Sequence, residues 1–307
     1  MRNIFFDTLY EASEQDPRII LINPDTAGFY CAKYIQKFPQ RYVNVGIAEQ
    51  NSVGIAAGLA LEGKIPFIFN ILTFASLRCY EQIRLDMCSM DLPVTIVGVG
   101  GGYDYSVLGP SHQATEDIAV MRVLPGMTVL NSSDDVMAAM MVEYCVEKPG
   151  PKYLRLDRTG TPLVHEKKLL DMEAGFHQFR FGKDVCIVAT GRMINQALKM
   201  ADVLNAHSID AGVIDLFRIA PFPEESLCNA ISCCRYVATL EEHFVAGGVG
   251  SALLEALSNQ RLQRPLIRLG IPNKFCRVYG DREYLLKENA LDVESLVARL
   301  IHFMEAH

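Results

Sequence analysis

The chain has 307 residues, of which 50% are hydrophobic and 21% are charged, and its formal net charge is −7 at pH 7. This length and apolar fraction suffice for two globular domains with large buried cores. The acidic balance and the absence of a basic run argue against a nucleic-acid-binding protein, and no apolar run is long enough to span a membrane.

Short β-rich runs alternate with longer segments of helical periodicity through the first half of the chain. The runs predicted as strands are 18–23, 41–45, 65–71, 93–100, 127–131 and 152–156. The segments predicted as helices are 47–62, 74–90, 114–124 and 134–147. This alternation is typical of an α/β domain with a mainly parallel sheet.

A polar stretch with few strong elements then separates the first half from a second one. We predict a linker over 166–183, so that the first domain covers residues 1–165 and the second covers 184–307. After the linker, predicted strands lie at 184–191, 212–217, 236–243 and 266–271, and the last helical segment is 293–304. The sequence therefore predicts two consecutive open α/β domains, each with a mainly parallel sheet.

The nine cysteines indicate a reducing compartment. No pair has CxxC spacing, and nearly all of them lie in apolar segments, which favours buried, reduced thiols. We interpret the vicinal pair Cys233-Cys234 as packing rather than redox chemistry. The N-terminal stretch lacks the pattern of a signal peptide, so we expect a cytoplasmic protein.

Glu49 is the one carboxylate in the segment 46–61, which is built mostly from Gly, Ala, Ile, Val and Leu. On a helix it shares a face with Val53, Ala56 and Ala60, where an unpaired carboxylate is costly. One interpretation is a functional acid at the carboxyl end of a strand, where ligands of parallel sheets gather. The alternative is that Glu49 only caps the helix, with Gly46 as the N-cap residue.

Two glycine-rich segments are also candidates for a site. The run 98–102 lacks dinucleotide-binding spacing because Tyr103 stands where the last glycine belongs, and the histidine that follows, His112, is either functional or a loop cap. The segment 241–257 predicts a strand, a glycine turn and a helix, which either binds an anion or merely turns tightly. Of Arg155 and Arg158, at most one faces a cleft, and Arg158 is nearer the loop.

The order of these motifs resembles the thiamine-diphosphate enzymes of the transketolase family over nearly the whole chain. "VNVGIAEQNSVGIAAGLAL" is similar to the family's cofactor-activating glutamate helix, and "GPSHQATEDIAVMRVLPGMTVLNSSD" to its Gly-Pro-Thr-His-Gln loop, helix and strand. "LEEHFVAGGVGSALLE" and "LGIPNKF" resemble the C-terminal domain of the family. The resemblance implies a thiamine-diphosphate pyrimidine-binding fold followed by a transketolase C-terminal-like domain.

The resemblance also implies which residues hold the cofactor. Glu49 matches the glutamate that hydrogen-bonds a ring nitrogen of the aminopyrimidine and thereby activates the thiazolium carbon. Phe74 matches the aromatic platform under the pyrimidine, with Ile71 and Leu77 one turn to either side. Tyr80 is the rival platform.

The substrate contacts implied by the resemblance are less complete. His112 matches a histidine that contacts the substrate near the reacting carbon, and Arg158 matches an arginine that binds the phosphate of sugar phosphates. Leu108 stands where sugar transketolases carry an aspartate, and Gly100 stands near the position of a second histidine. The candidates to replace these contacts are Tyr103, Asp104 and Tyr105.

The family's Gly-Asp-Gly motif, which binds the diphosphate and Mg²⁺, does not occur in this sequence. The resemblance therefore implies an N-terminal diphosphate-binding partner subunit and an α2β2 assembly, with the Ala/Gly-rich face of 46–60 and the segment 74–90 as contact surfaces. We expect a subunit of a transferase that moves a two-carbon ketol unit between a sugar or sugar-phosphate donor and an aldehyde. The alternatives are another thiamine-dependent carboligase or 2-oxo acid decarboxylating synthase, and a catalytically silent regulatory subunit.

Overall fold

The structure is a computed structural model and describes residues 1–167 and 170–307. Its strands are β1 (Ile19–Asn23), β2 (Tyr42–Asn44), β3 (Ile65–Ile71), β4 (Thr95–Val99), β5 (Thr128–Asn131), β6 (Lys152–Leu156), β7 (Phe176–Arg180), β8 (Val185–Ala189), β9 (Ala211–Leu216), β10 (Arg218–Ala220), β11 (Tyr236–Phe244) and β12 (Leu266–Ile271). Half of these strands are buried along their whole length, as expected of parallel strands covered on both faces.

The helices pack on both faces of the sheets. They are α1 (Arg2–Gln15), α2 (Ala32–Lys37), α3 (Glu49–Leu61), α4 (Leu72–Ser76), α5 (Tyr80–Gln82), α6 (Asp117–Met121), α7 (Asp135–Glu147), α8 (Ile194–Ala206), α9 (Glu224–Ile231), α10 (Val249–Asn259), α11 (Arg282–Glu288) and α12 (Val293–Ala306). None of the helices in 1–167 and 170–307 combines the length and apolar character that a membrane crossing requires.

Two sheets organise these elements, and both are mainly parallel. The first has the order β10-β5-β6-β4-β3-β1-β2, and the second has the order β12-β11-β8-β9-β7. Only β10 and β7, each at an edge, pair antiparallel with their neighbours among the described strands. The prediction of two α/β domains with mainly parallel sheets is confirmed.

The order of the first sheet determines which loops meet. β2, β1, β3 and β4 are successive neighbours, with Ile22 of β1 opposite both Val43 of β2 and Ile68 of β3. Ile71 at the end of β3 lies opposite Val99 at the end of β4. Because these strands are parallel, the segments that follow β2, β3 and β4 all leave the sheet at the carboxyl end of the strands. These segments carry Glu49, Phe74 and His112.

The predicted linker 166–183 contains a strand, which corrects that part of the prediction. Residues 168 and 169 of this linker lie outside the described residues, but β7 occupies its second half and pairs with β9. Every residue of β7 is partly exposed, because the strand forms the edge of the second sheet. The segment consequently reads as polar although it belongs to the sheet.

The predicted helix 74–90 is also wrong as a continuous element. The chain instead forms α4, α5 and a π-helical segment over Ile83–Cys88. Around the break, the Ser76 hydroxyl donates to the carbonyl of Leu72 and the Cys79 thiol donates to the carbonyl of Ala75. Such side-chain bonds to the backbone compete with the regular helical ladder.

The two domains are joined by a buried imidazole between two carboxylates. His165 Nδ1 lies 3.1 Å from Asp134 Oδ2, and His165 Nε2 lies 3.2 Å from Asp215 Oδ2. Asp134 caps α7 of the first domain, whereas Asp215 lies on β9 of the second. Burial alone would lower the pKa of His165, but the hydrogen bonds to the two carboxylates outweigh it and raise that pKa to about 9.

This arrangement predicts a loss of stability at alkaline pH. A raised folded-state pKa contributes stability that is complete below the ordinary value of 6.5 and disappears as pH rises through about 9. We expect His165→Gln to remove about 3 kcal/mol from the free energy of unfolding at acidic to neutral pH and little above the folded-state pKa. Urea unfolding across this pH range measures the difference. The matched control His302→Gln alters an exposed histidine of α12, and equal pH dependence in all three proteins would contradict the assignment.

Candidate active site

Glu49 is buried at the start of α3, at the carboxyl end of the strands of the first sheet. A turn with Gly46 at φ +67° leads from β2 into this helix, and the Glu49 side chain is 5% exposed. Glu49 is the first residue of α3 and Ala48 is its N-cap, and within the described part of the chain no side chain caps this helix. The capping interpretation with Gly46 as the N-cap is therefore wrong.

The Glu49 carboxylate is held by two donors, one on β3 and one in the segment that follows this strand. Oε1 accepts a hydrogen bond of 2.8 Å from Arg78 Nη1 and a longer one of 3.4 Å from Asn70 Nδ2. Val53 and Ala56 are buried on the same helix, so the carboxylate sits against an apolar wall. Pairing with a cation offsets the cost of burying this charge.

Phe74 on α4 is half-buried, and its ring faces both Arg78, which pairs with Glu49, and His112. Its ring centroid lies 4.2 Å from the Cζ atom of Arg78 and 5.1 Å from the centroid of the His112 ring. Ile71 and Leu77 flank Phe74 in sequence and are also half-buried. The structure thus brings Glu49, Phe74 and His112 to one place.

Tyr80, the rival platform, is held away from this cluster. Its hydroxyl donates a 2.9 Å hydrogen bond to the carbonyl of Val120, and its ring packs against a buried apolar core. Of the two aromatic side chains, Phe74 is thus the one that contacts Arg78 and His112.

His112 lies in the loop after β4, where Gly109 adopts φ +72° and lets the chain turn. The Ser111 hydroxyl lies 2.9 Å from His112 Nδ1, and the ring of Tyr105 lies 5.7 Å from the imidazole. Burial and the charge of Arg78 lower the pKa of His112 below its ordinary 6.5. The imidazole is consequently neutral at pH 7, and its proton is on Nε2 in the tautomer in which the Ser111 hydroxyl donates to Nδ1 rather than to the Leu108 carbonyl oxygen 3.3 Å away.

Arg155 and Arg158 have different surroundings although they are three residues apart. Arg155 is buried and its Nε donates to Asp117 Oδ2 at 3.0 Å, which makes it part of the core. Arg158 is exposed, and its Cζ atom lies 5.1 Å from the centroid of the Tyr105 ring. Arg158 is thus the arginine on the side of the site.

Tyr103 is not brought to the site, which corrects its assignment as a substrate contact. It is 1% exposed and packs in the core of the second domain. Its backbone N–H donates to Glu242 Oε1 at 2.7 Å, and a Cβ on Gly102, at φ +58°, would lie 2.5 Å from the Glu242 side chain. The glycines turn the chain so that Tyr103 points inward and Tyr105 reaches His112.

The start of α10 is not an anion site. The buried carboxylate of Glu241 accepts hydrogen bonds from the backbone N–H groups of Val249 and Gly250, at 2.7 and 2.9 Å. A Cβ on Gly248 would overlap this carboxylate, so the glycine provides its space. Burial raises the pKa of Glu241 to about 7 despite the two N–H donors. The chain itself therefore fills the helix N-terminus, and the anion-binding alternative is wrong.

The cluster can accept a flat group with N–H donors. Arg78 already places such a group between the Glu49 carboxylate and the Phe74 ring, at 2.8 Å and 4.2 Å respectively. An aminopyrimidine offers the same combination of a planar face and nitrogen donors, so these residues fit it. Across residues 1–167 and 170–307, no group of three or more His, Cys, Asp or Glu side chains could hold a metal ion.

Two protein-family models match this chain. The model of the transketolase pyrimidine binding domain matches residues 1–162, and that of the transketolase C-terminal domain matches residues 177–296. An apulose-4-phosphate transketolase subunit of Actinobacillus succinogenes is 32% identical over 298 residues, which cover 97% of this chain and 96% of that protein.

Two further proteins are similar over nearly their whole length. A 6-deoxy-6-sulfo-D-fructose transketolase subunit of a Clostridium species is 33% identical over 298 residues, covering 97% of this chain and 92% of that protein. The solved structure of a split-gene transketolase, an inactive β4 tetramer, has a TM-score of 0.88 and 35% sequence identity, covering 99% of this chain and 97% of that one.

Proposed function

This chain belongs to the transketolase family, and from that premise we propose that it is the C-terminal subunit of a split enzyme that transfers a two-carbon ketol unit with thiamine diphosphate. The observation that carries the proposal is that Glu49, Phe74 and His112 lie together at the carboxyl end of the strands of the first sheet. Subunit-type relatives that match this chain end to end support the split arrangement.

Glu49 is the proposed activating acid. When bound, thiamine diphosphate would supply the carbon nucleophile that transfer of a two-carbon unit requires. The Glu49 carboxylate shares a proton with a pyrimidine ring nitrogen, and its burial keeps water from competing for that bond. Phe74 offers the apolar face for the ring, with Ile71 and Leu77 completing the wall.

His112 is the proposed donor to the substrate. Its neutral imidazole carries a proton on Nε2 when Nδ1 accepts from Ser111, and this N–H can stabilise the oxygen that gains charge as the ketone is attacked. Arg158 supplies a cation for the phosphate of a sugar phosphate. Leu108, which is 49% exposed at the rim of the His112 loop, leaves that rim less polar than in sugar transketolases.

The diphosphate and Mg²⁺ belong to an N-terminal partner subunit in this proposal, in an α2β2 assembly. The outer face of α3 supports such an interface, because Gly54 and Gly58 are exposed and a Cβ at either position would meet nothing within 4 Å. Ile47 before the helix and Leu61 at its end are 79% and 62% exposed. An apolar face of this kind suits close approach of another helix. We also propose a cytoplasmic location, which nine free cysteines support.

A donor assay tests the reaction class. The chain and its partner subunit are mixed with thiamine diphosphate, Mg²⁺, a ketose phosphate and an aldose phosphate, and the products are identified by mass spectrometry. We expect a ketose two carbons longer than the aldose, without release of CO₂. In a parallel reaction with pyruvate in place of the ketose phosphate, release of CO₂ would favour a decarboxylating synthase, and no turnover in either reaction would favour a silent subunit.

A further inference from the structure

Arg78 occupies the same two contacts that the proposed function assigns to the pyrimidine ring of the cofactor. Its Nη1 atom lies 2.8 Å from Glu49 Oε1, and its Cζ atom lies 4.2 Å from the centroid of the Phe74 ring. The guanidinium is flat and presents N–H donors at its edge, as an aminopyrimidine does. The Arg78 side chain is 44% exposed, so it has open space into which to move.

We infer that Arg78 is a placeholder for the pyrimidine ring, which it must yield when thiamine diphosphate binds. This inference rests on the proposed function. The Arg78 guanidinium is paired with Glu49 Oε1 and stacked on the Phe74 ring, so it fills the space between these two side chains that the proposed function assigns to the pyrimidine. Binding of the cofactor therefore requires Arg78 to leave Glu49 and Phe74.

In the absence of the cofactor, the ion pair between Arg78 and Glu49 offsets the cost of burying the Glu49 carboxylate. Glu49 is 5% exposed, and apart from Arg78 the hydrogen-bond donor to its carboxylate within the described residues is Asn70, at 3.4 Å. A buried carboxylate with only one long, neutral hydrogen bond is costly, and the guanidinium removes that cost. Arg78 thus stabilises the empty site and lowers the affinity of the cofactor by the free energy of the contacts that must be broken.

The size of this effect follows from the two contacts. A partly exposed ion pair and a stacked guanidinium are each modest interactions, and together they correspond to roughly a tenfold change in affinity. The charge of Arg78 also reaches His112, whose pKa it lowers together with burial. Movement of Arg78 away from Glu49 consequently changes the electrostatic environment of both proposed catalytic groups.

Calorimetric titration of the complex with its partner subunit tests the inference. Thiamine diphosphate with Mg²⁺ is titrated into complexes that contain the natural chain, Arg78→Met or the matched control Arg261→Met. Arg261 is an exposed arginine of the second domain, just after α10. We expect Arg78→Met to bind the cofactor roughly tenfold more tightly, Arg261→Met to match the natural chain, and the advantage of Arg78→Met to shrink in high salt.

The outcomes separate this inference from the proposed function. Equal or weaker binding by Arg78→Met, with normal binding by the natural chain, would overturn the placeholder and make Arg78 a bystander or a cofactor ligand. No binding by the natural chain with its partner would overturn the proposed function itself. Arg78→Lys gives a second test, because it keeps the charge but loses the flat face, and we expect its affinity to lie between those of the natural chain and Arg78→Met.

Discussion

Replacing Glu49 with Gln is expected to lower the kcat of the assembled enzyme by about 10²–10⁴ while leaving the assembly intact. The amide has the size of the carboxylate but cannot share a proton with a ring nitrogen in the same way. Glu49 lies at the start of α3 with its side chain buried, so a substitution of equal size preserves the packing against Val53 and Ala56. Steady-state turnover with the partner subunit, together with the size of the complex by light scattering, measures both effects.

A matched control makes the Glu49 result specific. Glu62→Gln makes the same chemical change at the C-cap of the same helix, at an exposed position, and should leave kcat unchanged. Normal turnover by Glu49→Gln would contradict the assignment of Glu49 as the activating acid and would favour a silent subunit.

His112→Asn is expected to lower kcat by about 10²–10³, because it removes the proposed donor to the substrate oxygen. Asn keeps a short polar side chain but does not reach as far from the loop. Cofactor affinity should change little, since His112 contacts the edge of Phe74 rather than Glu49. His302→Asn on α12 is the matched control, at an exposed histidine.

The pH profile gives His112 a second test. Burial and Arg78 lower the pKa of His112, so the neutral imidazole predominates at pH 7 and gives way, as pH falls through that lowered pKa, to the imidazolium, which cannot accept a proton from the substrate. The rate should therefore decline on the acid side of the ordinary value of 6.5, and this decline should be absent in His112→Asn. An identical acid limb in both proteins would contradict the role of His112.

Much of the fold was predictable because it rests on patterns that burial imposes. The segments that form β3 and β6 are rich in apolar and aromatic residues, and the structure forms these strands over the predicted residues, Ile65–Ile71 and Lys152–Leu156. β7 was not predictable, since an edge strand is covered less and carries a polar sequence. α1 was missed although Phe5 and Leu9, four residues apart, are both buried; this spacing was the available signal.

The site, like the fold, was only partly predictable from the sequence. Motifs at strand ends pointed to Glu49 and His112, because neighbouring parallel strands deliver their loops to the same end of the sheet, and the family resemblance added Phe74. The positions of Tyr103 and Arg78 depend on details that no pattern carries. Tyr103 turns inward because Gly102 has a positive φ against Glu242, and Arg78 folds back onto Glu49 across a break between α4 and α5. An unpaired buried carboxylate was a reason to look for a nearby cation.

Calorimetric binding of thiamine diphosphate with Mg²⁺ tests the central claim most directly. The cofactor is titrated into this chain alone, into the partner subunit alone, and into the two together. The account predicts tight binding only in the mixture, because Glu49 and Phe74 hold the pyrimidine end while the diphosphate and metal belong to the partner. Equally tight binding by this chain alone, or none in the mixture, would contradict it.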